Sequence, residues 1–254
     1  MGKNKLKKFA EMRELPNVFQ CAMRDFTPDE PAAQMRGRWH TYFGNDNPIT
    51  IELGCGHGDY TTGLAKLHPE RNYIGIDIKG ARIWHGAKEA HLNGMTNVAF
   101  LRTNIEMLPF FFAENEVDEI WITFPDPQMK KATKRLTSSF FMERYCKLLK
   151  PNGIIHLKTD SPFLYIYTRA MVNENKFDVI ADAEDLYSPD SIGKYEAAQA
   201  LQTHYERQWL DRGMTIKYLA WHLPQEQPFT EPDIEIEKDT YRSYGRNYVS
   251  PTNN

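Results

Sequence analysis

Three carboxylates in this chain each stand at or near the end of a short apolar run, and their neighbours differ. Glu52 lies in Ile49-Thr50-Ile51-Glu52-Leu53 and is followed at once by Gly54-Cys55-Gly56-His57-Gly58. Asp77 ends the run Tyr73-Ile74-Gly75-Ile76-Asp77, and Asp126 sits between two prolines in Phe124-Pro125-Asp126-Pro127. Lys130, Lys131, Lys134 and Arg135 come soon after Asp126. A strand that runs into glycines can present bare main-chain N–H groups to a ligand, because glycine takes positive φ and has no side chain to keep the ligand away. Prolines on both sides of an acid hold it in extended backbone. The first two acids therefore suit ligand binding. The third suits a reacting group beside an anionic substrate.

A dinucleotide site would need G-x-G-x-x-G with a ribose-binding acid about 20 residues further on. Asp77 can be that acid, but the spacing here is G-x-G-x-G, and Glu52 would repel a pyrophosphate. A cofactor carrying sulfonium and ammonium charges, S-adenosyl-L-methionine, fits this field better than a nicotinamide dinucleotide. An ordinary glycine-rich strand-to-helix turn with no ligand has the same local pattern. For the second stretch the bland alternative is a proline-stiffened surface loop with solvated lysines.

The elements that must position these residues follow from periodicity. Strands are expected at Ile49–Leu53, Tyr73–Asp77, Val98–Arg102, Glu119–Phe124 and Gly153–Thr159, with helices at Tyr60–Leu67, Gly80–Asn93, Met107–Phe112 and Phe140–Leu149 between them. A helical pattern at Phe163–Asn173, a run at Phe177–Ala181, a helix at Thr203–Asp211 and a last strand at Thr215–Leu223 follow. Such alternation with short links predicts an α/β fold: a Rossmann-like, mostly parallel sheet of seven strands with helices on both faces. Ligands of such sheets sit at the carboxyl ends of the strands, which singles out residues 54–58, Asp77, Asn104, residues 125–135 and Asp160.

Residues 1–47 read as a basic preface of poor periodicity, with Lys3, Lys5, Lys7 and Lys8 in an arm that is either a solvated terminus or a segment ordered by a phosphate backbone. Residues 48–224 hold the alternating pattern, and residues 225–254 read as an acidic tail. The net charge of −3 conceals segregation: residues 178–190 carry five acids and no base, and residues 226–239 carry six acids against Lys238. The remainder is positive, which leaves room for a nucleic-acid partner. With 41% hydrophobic and 26% charged residues and no apolar run of membrane length, a soluble cytoplasmic protein without a membrane partner is expected. Three scattered cysteines and scattered histidines argue against disulfides and against a metal site.

Taken together, Ile51-Glu52-Leu53-Gly54-Cys55-Gly56, Phe124-Pro125-Asp126-Pro127 with its lysines, His156-Leu157-Lys158-Thr159-Asp160 and Thr203-His204-Tyr205-Glu206 resemble bacterial tRNA (guanine-N7)-methyltransferases, over residues 49–223. The resemblance implies transfer of a methyl group from S-adenosylmethionine to N7 of the variable-loop guanosine of tRNA. It implies cofactor contacts at Glu52, Gly54, Gly56, Asp77, Asn104 and Asp126, with Asn104 standing where the family usually has aspartate. Asp126 matches the acid regarded as catalytic, while Lys130, Asp160, Thr203, His204, Tyr205 and Glu206 match substrate-binding positions. Ala132 and Thr133 stand where the family often has histidine and arginine. No protein partner is required by this account, and monomer and homodimer both remain open. The rivals are a small-molecule methyltransferase, which would have no use for four cations beside Asp126, and a non-catalytic RNA-binding protein of the same fold.

Overall fold

The computed structural model of the chain describes residues 3–225 and 227–240. Helices α1 (Lys3–Glu14) and α2 (Trp39–Phe43) flank strand β1 (Val18–Gln20). Next come β2 (Ile49–Leu53), α3 (Asp59–Leu67), β3 (Asn72–Asp77), α4 (Gly80–Leu92), β4 (Val98–Arg102), β5 (Val117–Thr123), α5 (Ser139–Tyr145) and β6 (Leu149–Thr159). The order ends with α6 (Pro162–Glu174), β7 (Asp178–Ala183), α7 (Glu196–Gln199), α8 (His204–Leu210) and β8 (Lys217–His222). The strands form one sheet in the order β1-β4-β3-β2-β5-β6-β8-β7, and β8 runs antiparallel to both of its neighbours.

The sheet has eight strands rather than the expected seven, because the preface supplies β1, paired parallel with β4. Its three residues are too few to show a period, and its order comes from distant contacts. Trp39 is wholly buried, stacks on Phe112 at 5.5 Å and donates from its indole to the Phe111 carbonyl, while Glu116 accepts from the N–H groups of Gly37 and Trp39. The basic arm is helix α1, laid on α4: Glu11 accepts from Trp84 Nε1 and Lys88 Nζ, and Lys8 lies over the Trp84 ring. Helix α1 thus packs on α4 and strand β1 on β4.

The central strands are continuous apolar runs because helices cover both faces; every residue of β2 and β3 is buried. Pairing sets Leu53 beside Ile76 and Ile122, so β2, β3 and β5 end level with one another. At the next strand end, Ser161 caps α6 by accepting from Leu164 N, with Pro162 at the first helical position. The described part of the tail is a strap across this side. Phe229 meets Phe177, Glu231 accepts from Ser139 and Tyr167, and Asp239 accepts from the Ser161 hydroxyl and the Phe163 N–H. Two of the tail's acids thus cap and clamp helices, which its composition alone did not suggest.

Candidate active site

The level ends of β2, β3 and β5 open into a cleft of about 480 Å³ lined by residues that include Glu52, Gly54, Gly56, Tyr60, Asp126 and Tyr205. One wall is the glycine turn. Gly54, Gly56 and Gly58 have φ of +77°, +57° and +81°, the left-handed region that glycine enters without strain. A Cβ on Gly58 would stand 2.7 Å from the Phe100 ring, so this position has no space for one. The turn is tied to the neighbouring strand end: Gly54 N and Cys55 N donate to the Ile76 carbonyl, and Gly56 N donates to Asp77 Oδ2. Asp77 Oδ1 accepts from Lys79 N at 2.7 Å.

Glu52 is 4% exposed at the floor of this wall. Its carboxyl accepts from Thr61 N, the Thr61 hydroxyl and the Thr123 hydroxyl. Burial nonetheless pushes its pKa up to about 7, against the pull of those donors. Such a group favours a cationic ligand, whose charge replaces the lost water. The Cys55 thiol beside it is pushed well above its usual range by burial and by the Glu52 and Asp77 carboxylates, so it stays protonated. A negative, backbone-rich, partly enclosed wall fits the ammonium and ribose of S-adenosylmethionine.

The other wall carries Asp126, which is exposed and accepts from Gln128 N at 3.1 Å. Phe124 and Gln128, two residues to either side, have φ of +48° and +47°, a costly conformation for residues with side chains. Strain that brackets one acid marks a loop held in place by its surroundings. Arg135 supplies part of that hold, donating to the Gln128 and Met129 carbonyls while stacking over Phe163 and Tyr167. Lys134 pairs with Glu106 at 2.8 Å. Of the four cations expected to meet phosphate, Lys130, Lys131 and Lys134 are exposed, Lys134 while paired with Glu106, and Arg135 is half-buried.

Thr203 and Tyr205 complete this wall, with the Tyr205 ring 5.6 Å from that of Phe124. Thr203 also caps α8 by accepting from Glu206 N at 3.1 Å. The side chain of His204 lies outside the described residues. Two of the residues expected to contact substrate are buried in this structure. Glu206 is 0% exposed and paired with Lys158, and Asp160 is 0% exposed, its charge acting on Lys217. Asn104 sits at the end of β4, outside the residues that line the cleft. The lining also includes Tyr60, Arg82, Thr123, Phe124 and Gln208, which sequence reasoning did not single out. For Phe124 the adjoining Pro125 was a usable signal; for Arg82 and Gln208 only the fold brings them near.

Among the described residues no group of acids, histidines and cysteines could hold a metal ion, and no helix is long and apolar enough to cross a membrane. A family described as "Putative methyltransferase" matches residues 46–219, and this fold and cleft are those of a Rossmann-like methyltransferase. The crystal structure of the 16S rRNA methyltransferase KamB shares that fold, with a TM-score of 0.57 at 14% identity over 74% of this chain and 94% of that one. A tRNA (guanine-N(7)-)-methyltransferase of Bacteroides fragilis is 57% identical over 97% of this chain and 96% of its own length. One from Porphyromonas gingivalis is 55% identical over 92% and 96%. The chain belongs to the tRNA (guanine-N(7)-)-methyltransferase family.

Proposed function

We propose that the chain methylates N7 of the variable-loop guanosine of tRNA, using S-adenosylmethionine. The observation that carries this reading is the pairing, across one cleft, of a glycine-rich wall around buried Glu52 with a wall that bears exposed Asp126 and Tyr205, the exposed Lys130 and Lys131 following Asp126 in the chain. S-adenosylmethionine supplies the methyl group and is left as the neutral thioether. Glu52 would meet the cofactor's ammonium and Asp77 its ribose hydroxyls, and the glycines of the turn, having no side chains, would let the rest approach the main chain.

Guanine N7 has an in-plane lone pair and no proton, so nothing must be removed for the bond to form. The protein's work is alignment of nucleophile, methyl carbon and sulfur, which can supply several kcal/mol. Asp126 accepts from the N1 and N2 hydrogens of guanine and offsets the positive charge that grows on the methylated ring. Phe124 and Tyr205 offer ring surfaces on which a base released from its stack can rest. Lys130 and Lys131 hold phosphates and set the register.

The test is incubation of the purified chain with S-adenosylmethionine and unmodified tRNA, followed by nuclease digestion and mass spectrometry of the nucleosides. Appearance of 7-methylguanosine supports the reading. Cofactor binding without any methylated nucleoside would refute it and point to a small-molecule acceptor.

A further inference from the structure

Most acids of the tail face water, but Asp239 is 7% exposed while Glu235, Glu237, Lys238 and Thr240 around it are exposed. A carboxylate taken out of water needs partners. Asp239 finds them on two separate pieces of chain. Its carboxylate accepts from the Ser161 hydroxyl and from Phe163 N, the latter at 3.0 Å, at the start of α6, where unpaired N–H groups and the helix dipole favour an acid. Its own N–H donates to Met129 Sδ at 3.2 Å, in the loop that carries Asp126. The same two pieces meet again through Arg135, which stacks over the Phe163 ring at 4.8 Å and the Tyr167 ring at 4.3 Å and donates to the Met129 carbonyl at 3.3 Å. The contacts close a circuit from Met129 to Asp239 to Phe163 to Arg135 and back to Met129. Glu231 of the strap accepts from the Tyr167 hydroxyl, so both residues under the Arg135 guanidinium are bonded to the tail.

The circuit matters because the loop does not hold its own shape: Phe124 and Gln128, at φ of +48° and +47°, keep that conformation only while their surroundings impose it. One attachment lets such a loop pivot; two attachments to the same helix do not. We propose that Asp239 is a positioning residue for Asp126, fixing the strained loop against the start of α6 from the far end of the chain. Asp239 is not among the residues that line the cleft, and it acts through Met129. The kinetic part of the test rests on the proposed function, and the exchange part does not.

The test compares wild type with Asp239→Ala, Asp239→Asn, Met129→Ala and Phe229→Ala, each as the full chain. Amide hydrogen exchange over residues 124–135 needs no substrate. Asp239→Ala and Met129→Ala should each speed it about tenfold with β2 to β4 unchanged, and Asp239→Asn, which keeps an oxygen for Phe163 N, should stay within about threefold of wild type. Phe229→Ala loosens the strap where it meets Phe177; it should lower the melting midpoint yet leave exchange in the loop and the methylation rate within about twofold. In single turnover under saturating S-adenosylmethionine and tRNA, Asp239→Ala should lower the rate constant about 10- to 30-fold, but less than about twofold when Asp126 is already alanine, because its effect passes through that residue. The full loss in the Asp126→Ala background would overturn the proposal. So would unchanged exchange in Asp239→Ala, or a rate in that variant at or above wild type. If Asp239→Ala does not fold, Met129→Ala decides by the same two readings from the loop's side. A chain that methylates no tRNA would refute the proposed function and leave the exchange result to decide whether the strap fixes the loop.

Discussion

The two walls of the cleft are held by different means. The cofactor wall is built from neighbours: the glycine turn hangs on the Ile76 carbonyl and the Asp77 carboxylate one strand away, and Glu52 is held by Thr61 only nine residues on and by Thr123. The nucleotide wall is built from distant pieces. Arg135 braces the Asp126 loop, and Lys158 joins residues 198–206 to the sheet across 40 or more positions of chain. A small cofactor of fixed shape can be met by a rigid, locally determined turn. A tRNA needs an open, charged face, and that face is fixed from behind by buried pairs while its front stays exposed.

The largest expected effect falls on the nucleotide wall. Asp126→Ala should lower single-turnover methyl transfer by about 10³-fold, the scale seen when one transition-state contact is removed; a loss of only a few-fold would take Asp126 out of the mechanism. On the cofactor wall, Gly58→Ala puts a Cβ 2.7 Å from Phe100 at a φ of +81°. It should cost about 1–3 kcal/mol of stability and reduce cofactor affinity about tenfold, measured by thermal melting and calorimetry. Normal values for both would mean that the turn is not rigid.

Glu52→Gln sharpens the same contrast through pH. The wild-type carboxyl is raised to about 7 by burial, so below that pH a cationic cofactor must displace a proton. Affinity for S-adenosylmethionine should rise from pH 6 to pH 8 in wild type and rise less in Glu52→Gln, which should bind about tenfold more weakly at pH 8. Stability runs the other way. The unfolded carboxyl loses its proton first, so the contribution of Glu52 to the ligand-free fold is full below the ordinary carboxylate range and lost as pH climbs through about 7. The wild-type melting midpoint should therefore drop more between pH 5 and pH 8 than that of Glu52→Gln. The smallest effect is expected at Lys130→Ala/Lys131→Ala, which should reduce the slope of log affinity against log salt by about 1.5 to 2. An unchanged slope would move the phosphate contact elsewhere.

How far the sequence revealed each wall follows from the same difference. Ile49–Leu53 and Val98–Arg102 matched their expected bounds, because a buried parallel strand is an uninterrupted apolar run. Glu52, Asp77 and the glycines were legible for the same local reason. Strand β1 and the buried Trp39 were not, since three residues carry no period and their partners lie 72 or more positions away. On the nucleotide wall, the motif Thr203 to Glu206 signalled importance but not direction. A cap and a ligand contact share that spacing, and in this structure Glu206 pairs with the buried Lys158.

The most direct test of methylation by alignment, with no base involved, is the pH dependence of the single-turnover rate under saturating S-adenosylmethionine and tRNA. The rate constant should stay within about twofold from pH 6 to pH 8.5, and Asp126→Ala should be slower by the same factor throughout, because no proton leaves guanine N7 in the step. A wild-type rate that falls about tenfold per pH unit toward acid, with that dependence abolished in Asp126→Ala, would make Asp126 a general base and contradict the account.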